Sequence, residues 1–162
     1  MAASLGFPFD AESDLTVTLV ARMAGPNPVL TLVVTPPGDA GYCGYGAGGR
    51  LNLGAIGGGS LLQWSGDDSR TIAIAPLGTS YFTVVLVLAK TGNSVTLNGT
   101  RYALGRDLGA GRSVGTAHVD LDVSSGTYSS GKTELYAASL EVTADLKTPL
   151  FWTTFRGSRE IP

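Results

Sequence analysis

Apolar and polar residues alternate along several short segments of the chain, which is the pattern of a β-strand with one buried face. From Leu15 to Met23 every second residue is apolar, and residues 119–123 and 135–144 show the same period of two. Successive side chains of a strand point to opposite sides of a sheet. In the last segment we therefore predict one shared buried face for Tyr136, Ala138, Leu140, Val142 and Ala144.

A further segment, YFTVVLVLAK at residues 81–90, is apolar on both faces. Such a run predicts a strand in the middle of a sheet that is covered on both sides. Thr91-Gly92-Asn93 and Asn98-Gly99 supply turn residues, and an Asn-Gly pair favours a two-residue hairpin. Residues 134–146 come nearest to a helical pattern, but their alternation favours a strand.

Short strands with turn residues at intervals of roughly 8–12 positions predict an all-β sandwich or barrel. A chain of 162 residues is long enough to bury one core. We predict a single all-β domain over residues 1–162, a two-sheet antiparallel sandwich. Residues 1–13 and 148–162 are expected to extend from it as arms that neighbouring subunits hold.

The composition excludes several classes of protein. Charged residues make up 15% of the chain, against about 25% in an average protein, and the formal net charge is -2. The chain therefore lacks the positive charge that binding to nucleic-acid phosphates requires. Cys43 is the single cysteine, so the chain is not a disulfide scaffold.

The N-terminal residues include no basic segment followed by an apolar one, so we expect a protein made in a cytoplasm and not exported by a signal peptide. The longest apolar run, residues 84–89, has the length of a strand and not of the roughly 20 residues that span a membrane. Asn98-Gly99-Thr100 matches a glycosylation sequence, which carries no weight in such a protein.

The motifs of common enzymes are incomplete. Residues 44–49 match G-x-G-x-x-G, but Arg50–Leu53 has the pattern of a strand where a dinucleotide fingerprint needs a helix. His118 is the only histidine, and Cys43 lies among Gly and Tyr without an evident base. We predict that the protein is not an enzyme and has no cofactor.

Two groups of residues with metal-binding side chains could hold a metal ion. His118, Asp120 and Asp122 project from one face of a predicted strand, where they form either a metal site or a solvated face. Asp67 and Asp68 lie in an oxygen-rich turn that could hold calcium or simply be exposed. In both cases the simpler interpretation is favoured, and no metal is predicted.

The segment of residues 38–59 contains ten glycines. Glycine allows positive φ or the close approach of another backbone. The segment is therefore either a flexible loop or bulged strand, or a packed assembly contact with Tyr42 and Tyr45 as anchors. The tryptophans, Trp64 and Trp152, could stack on a sugar or anchor an interface, or pack in the core.

The predicted strands follow one another as RLNLGA, LLQWSG, TIAIAPL, YFTVVLVLAK-TGNSVTLNGTRYALG, HVDLDV and KTELYAASLEVTADL. This order of strands resembles a concanavalin A-like (laminin-G-like) jelly roll over residues 11–147. The resemblance implies a two-sheet sandwich that often binds glycans, sometimes with calcium. Glucanases of that family carry E-x-D-x-x-E, whereas Asp120-Leu121-Asp122 has no flanking Glu, which implies a non-enzymatic member.

In its general character the chain is also similar to minor tail or capsid-decorating proteins of tailed phages. A low-charge surface suits burial against other subunits. The first hypothesis is thus a multi-copy, non-enzymatic virion protein that acts through assembly contacts. Its predicted contact residues are Phe7, Phe9, Tyr42, Tyr45, Trp152, Phe155 and Arg156.

The alternative hypothesis is a carbohydrate-binding module for attachment to host-surface glycans. Trp64 and Tyr81 would stack on sugar rings, and Asp67 and Asp68 would bind hydroxyls. A glycoside hydrolase is a third and weaker hypothesis, because the pair of catalytic carboxyls is missing. Neither nucleic acid nor membrane insertion is expected.

Overall fold

The computed structural model describes residues 3–9, 14–35, 49–66, 69–89, 91–105, 115–126, 131–144, 148–153 and 159–161. These residues form β-strands and no helix, so none of them supplies a helix that could cross a membrane. The strands are β1 (Ala3–Phe9), β2 (Leu15–Ala24), β3 (Pro28–Thr35), β4 (Gly49–Ile56), β5 (Gly59–Ser65), β6 (Ser69–Ala73), β7 (Phe82–Leu88), β8 (Asn93–Leu97), β9 (Thr100–Gly105), β10 (Gly115–Ser125), β11 (Thr133–Ala144), β12 (Thr148–Thr153) and β13 (Arg159–Ile161).

The strands pair antiparallel into two sheets. In the described part of the chain, sheet A has the order β1-β10-β3-β4-β5-β6. Sheet B has the order β12-β11-β2-β7-β8-β9, and β13 pairs with residues 133–135 of β11. The hydrophobic core lies between the sheets. The prediction of an all-β, two-sheet antiparallel sandwich is confirmed.

The core forms because the period-two segments turn one face of each strand inward. In β2, Leu15 and Leu19 are at most 2% exposed, and from sheet A they are joined by Leu30, Leu51 and other side chains of the same core. Each fully buried Leu contributes about 1.5–3 kcal/mol relative to an exposed one. These contacts fix which side of each strand remains available to solvent.

The strand β7 lies inside sheet B, between β2 and β8, as its doubly apolar sequence predicts. Phe82 and Leu86 point into the core, whereas Val85 and Val87 on the other face remain half-buried. The predicted cover on that second face is thus wrong for the described residues.

The strand β11 contains a bulge that the alternation does not reveal. Its pairing with β2 shifts between Ala137 and Ser139, so one extra residue enters the strand there. Leu140 consequently faces the core, while Tyr136 lies opposite Arg22 on the outer face. The predicted single face from Tyr136 to Ala144 is therefore wrong before the bulge.

The described parts of the predicted N- and C-terminal arms belong to the sheets. Residues 3–9 pair with β10 as β1, and residues 148–153 and 159–161 pair with β11 as β12 and β13. The physical reason is that β10 and β11 would otherwise be edge strands with unpaired backbone groups. That neighbouring subunits hold the arms stays a prediction.

The predicted hairpin at Asn98-Gly99 joins β8 to β9. Asn98 has φ +47° and Gly99 has φ +85°, as a type I′ turn requires. The backbone N–H of Thr83 donates to Asn98 Oδ1 at 2.9 Å, which ties the turn to β7. The prediction of this turn is confirmed.

Gly54 in β4 allows a close approach of β3. Its φ is +136°, and a Cβ at this position would overlap the carbonyl oxygen of Pro28. Gly59, at the start of β5, has an ordinary φ, and a Cβ there would make only van der Waals contacts.

We expect Gly54→Ala to lower the free energy of unfolding by more than about 2 kcal/mol, because the new methyl collides with backbone at a strained φ. Gly59→Ala, the matched control, should change it by less than about 0.5 kcal/mol in the destabilising direction. Urea unfolding of the full chain measures both. Equal effects of the two substitutions would contradict the close approach at Gly54.

Candidate functional site

A row of polar side chains crosses the outer face of sheet A. Each member pairs directly with the next, on the neighbouring strands β10, β3, β4, β5 and β6. The members of this polar row are Asp122, Thr31, Asn52, Gln63 and Thr71. Adjacent strands lie about 4.7–4.9 Å apart. The ladder therefore assembles one continuous band of hydrogen-bonding groups.

The polar row faces outward because its neighbours along each strand belong to the core. Asn52 lies between Leu51 and Leu53, which are both fully buried. Gln63 likewise follows the buried Leu62. Since adjacent residues of a strand point to opposite sides, burial of the leucines turns the amides to the other face.

One hydrogen bond orients the centre of the polar row. Thr31 Oγ1 donates to Asn52 Oδ1 at 2.9 Å, and Thr31 is 9% exposed. Because Asn52 Oδ1 accepts this bond, the orientation of the amide is set, and Nδ2 supplies two N–H donors. At the β10 end, Asp122 Oδ1 accepts from the backbone N–H of Val123 at 2.9 Å.

A second level of the ladder adds charged groups beside the polar row. Asp120, Val33, Arg50, Ser65 and Ser69 follow one another across the same five strands. Asp120 and Arg50 are both half-buried. The face thus combines carboxylate acceptors, amide and guanidinium donors, and hydroxyls, which are the groups that bind neutral polar ligands.

The strand β10 shows the predicted arrangement of His118, Asp120 and Asp122. The buried residues Val119 and Leu121 alternate with them, so all three lie on the outer face. Among the residues that the structure describes, no group of three His, Cys, Asp or Glu side chains could hold a metal ion.

Trp64 occupies the core and not the surface. It is 1% exposed, and a Cβ on Gly49 or Gly66 would overlap its indole ring, so these two glycines provide the space that the ring fills. Its Nε1 has no hydrogen-bond partner among the described residues. The predicted stacking of Trp64 on a sugar is therefore wrong, because its place in β5 turns it inward beside Leu62.

Tyr81 is 54% exposed, but it precedes β7 of sheet B and does not join the polar row. The guanidinium carbon of Arg22 lies 5.7 Å from the centroid of the Tyr81 ring and 3.8 Å from that of Tyr136. The Tyr136 hydroxyl donates to Glu134 Oε2. Tyr81 thus belongs to a separate aromatic and cationic cluster. The other two residues of the predicted sugar site, Asp67 and Asp68, lie outside the described residues.

The residues predicted for assembly contacts have different outcomes. Phe7 is 1% exposed and packs in the core, so its prediction as an intersubunit contact is wrong for this fold. Phe9 and Trp152 belong to β1 and β12, and their contacts stay predictions. Four further residues of that hypothesis, and Cys43, lie outside the described residues: Tyr42, Tyr45, Phe155 and Arg156.

Most members of the polar row are not evident from the sequence. Thr31, Asn52, Gln63 and Thr71 each lie in a strand-like segment, and their alternation with leucine or isoleucine indicates an outward face. That pattern does not reveal which of them are neighbours. Their proximity depends on the register between strands, which the linear pattern leaves open.

Comparison with known proteins relates the chain to solved structures only; no family model and no curated protein matches its sequence. Sheep galectin-11, in a complex with glycerol, is 14% identical with a TM-score of 0.54, over 88% of this chain and 99% of the galectin. The fold is a galectin-like jelly roll. A tetrameric galectin from the sponge Cinachyrella is 11% identical with a TM-score of 0.52, over 88% of this chain and 99% of its own.

An alginate lyase from Pseudomonas aeruginosa also shares the fold, at 14% identity and a TM-score of 0.56, over 85% of this chain and 68% of the lyase. At such identities the likeness extends to the fold alone. The resemblance to concanavalin A-like sandwiches is supported. Nothing in these comparisons bears on a phage, so the virion hypothesis and the expected synthesis in a host cytoplasm stay predictions.

We expect Trp64→Ala to lower the free energy of unfolding by about 3–5 kcal/mol, because it empties a packed core site. Tyr81→Ala, which removes an exposed ring, should cost less than about 1 kcal/mol. Urea unfolding followed by circular dichroism compares the two variants of the full chain. A small loss for Trp64→Ala would show that the indole is not a core side chain.

Proposed function

We propose that the protein is a carbohydrate-binding module, and that its sugar site is the polar row with the charged residues beside it. The observation that carries the proposal is the continuous band of amide, hydroxyl and carboxylate groups on five adjacent strands. A sugar presents several hydroxyls, each of which donates and accepts. A band that contains both hydrogen-bond donors and acceptors can pair with these hydroxyls.

The dimensions of the band favour an oligosaccharide over a single sugar. Five strands at the usual separation extend roughly 19 Å across the sheet, which is the length of several linked rings. The strands hold their side chains on a rigid scaffold, and the bond from Thr31 to Asn52 is made before any ligand arrives. Such preorganisation lowers the entropy lost on binding.

The shared fold supports the same class of ligand. Two of the similar structures are galectins, which are carbohydrate-binding lectins, and one of them is in a complex with glycerol, a small polyol. This favours the carbohydrate-binding hypothesis over the virion assembly hypothesis. The low identity means that the sugar itself has to be found by experiment.

The arrangement of carboxylates favours binding without catalysis. Asp120 and Asp122 lie on one strand and project from the same face. No Glu flanks them, so the pair of glutamates in the glucanase pattern E-x-D-x-x-E is missing. The proposed role is therefore recognition of a glycan, not its cleavage, although an alginate lyase shares the fold.

A glycan array with the full chain should identify at least one oligosaccharide ligand. With that ligand, Asn52→Ala and Thr71→Ala should each weaken binding, Asn52→Ala by about tenfold, because an unreplaced hydrogen bond is worth roughly 0.5–1.5 kcal/mol. Thr96→Ala on the outer face of sheet B is the matched threonine control and should leave the Kd unchanged. Isothermal titration calorimetry measures all three.

Two outcomes would refute the proposal. One is an array without binding above background for a folded protein. The other is a ligand whose Kd is unaffected by Asn52→Ala and Thr71→Ala but is raised by Thr96→Ala, which would move the site to sheet B. Asn52→Ala also removes the acceptor of the bond from Thr31 and could lower the stability of the fold. Thr71→Ala tests the same site without breaking that bond.

A further inference from the structure

The open edges of the two sheets meet at a cavity. The edge strand β6 of sheet A approaches the edge strand β9 of sheet B there. The cavity has a volume of about 730 Å³, and its lining includes Arg70 from β6, Arg101 from β9, and Asn93 and Ser94 from β8. This volume lies within the range of small-molecule sites, roughly 300–1,000 Å³. No member of the polar row lines it.

We call this space the two-arginine cavity, after Arg70 and Arg101. Its described lining includes no acidic residue. Arg70 and Arg101 are both exposed, and neither guanidinium pairs with another side chain among the residues that the structure describes. Two cations in one cavity repel each other, and a bound anion replaces that repulsion by attraction. A guanidinium also matches a planar or tetrahedral oxyanion, because its N–H donors bind two oxygens at once.

Asn93 provides an independent indication of a ligand. It lines the cavity and is 7% exposed, yet its Oδ1 has no hydrogen-bond partner among the described residues. Buried polar atoms are normally paired, so an unpaired one suggests a missing partner. Oδ1 is shielded from solvent, but the broad χ2 range of asparagine allows the amide to turn towards a hydroxyl in the cavity.

The backbone around Asn93 is set by contacts of its own. The pairing of β8 with β9 shifts between Asn93 and Ser94, and Gly92, at φ +138°, lies against the carbonyl oxygen of Gly105. The N–H of Gly92 donates to the carbonyl of Ala89 at 3.0 Å. The backbone that carries Asn93 is thus fixed at the edge where Arg70 and Arg101 line the cavity.

We propose that the two-arginine cavity is a second binding site, for a sugar residue that carries a carboxylate or a sulfate group. Arg70 and Arg101 bind the anionic group, and the amide of Asn93 binds a ring hydroxyl. The proposal uses no residue of the polar row. It can therefore be confirmed or refuted independently of the proposed sugar site on sheet A.

The test is a titration of the isotope-labelled full chain by NMR at constant ionic strength. The probes are D-glucuronate, D-galactose 6-sulfate, inorganic sulfate and neutral D-galactose. Either acidic sugar, or both, should shift the backbone amides of Gly92 and Gly105 in a saturable manner, and whichever binds identifies carboxylate or sulfate as the anion. Neutral galactose and inorganic sulfate should bind at least fivefold more weakly.

Arg70→Gln and Arg101→Gln should each weaken binding of the acidic sugar at least fivefold. Lys132→Gln removes the same charge from an exposed residue just before β11 and should change the Kd by less than twofold. Asn93→Ala should bring the affinity for the acidic sugar down to that for inorganic sulfate. Thermal unfolding of each variant separates a loss of the site from a loss of the fold.

Three results would overturn the proposal. Absence of saturable shifts at Gly92 and Gly105 with either acidic sugar refutes the site. If Lys132→Gln raises the Kd for the acidic sugar as much as the two arginine variants do, binding depends on the net charge of the protein and not on this cavity. If inorganic sulfate binds as tightly as the acidic sugars, Asn93 has no role in recognition. If neutral galactose binds as tightly, the arginines have none.

Discussion

The register between the strands of sheet A is the constraint on which the rest of the structure depends. A slip of β4 by one residue would turn Leu51 and Leu53 to solvent and Asn52 into the core. Exposure of the two leucines would cost about 3–6 kcal/mol, and burial of an unpaired amide would cost roughly 1–3 kcal/mol more. Core packing therefore selects one register, and the polar row on the outer face follows from it.

The same packing explains why aromatic side chains are poor guides to the site. The indole of Trp64 fills a space bounded by Gly49 and Gly66, and burial of its large surface outweighs the lack of a partner for Nε1 among the described residues. Among the described residues, the exposed Tyr81 and the half-buried Tyr136 lie instead on the side of sheet B, where Arg22 stacks on Tyr136. The polar row and these two tyrosines thus lie on different sheets of the sandwich.

The fold is shared by proteins with different activities, galectins and an alginate lyase among them. A jelly roll requires only inward apolar residues and suitable turns, so its outward residues are free to vary between proteins. That freedom accounts for a common architecture at 11–14% identity. Function in such a protein depends on the outward side chains that the ladder brings together and on the cavities where its sheet edges meet.

The sequence by itself determined the fold class, the inward face of β2, the central place of β7, the Asn98-Gly99 hairpin and the common face of His118, Asp120 and Asp122. All of these follow from local rules, because the period of two and the turn residues act between near neighbours in the chain. Only the tertiary structure decided that residues 3–9 form a strand of sheet A, that a bulge turns Tyr136 outward, and that Asn52 lies between Thr31 and Gln63. Those features depend on pairing between distant segments, and its register is set by the packing of the whole core, which no local pattern records.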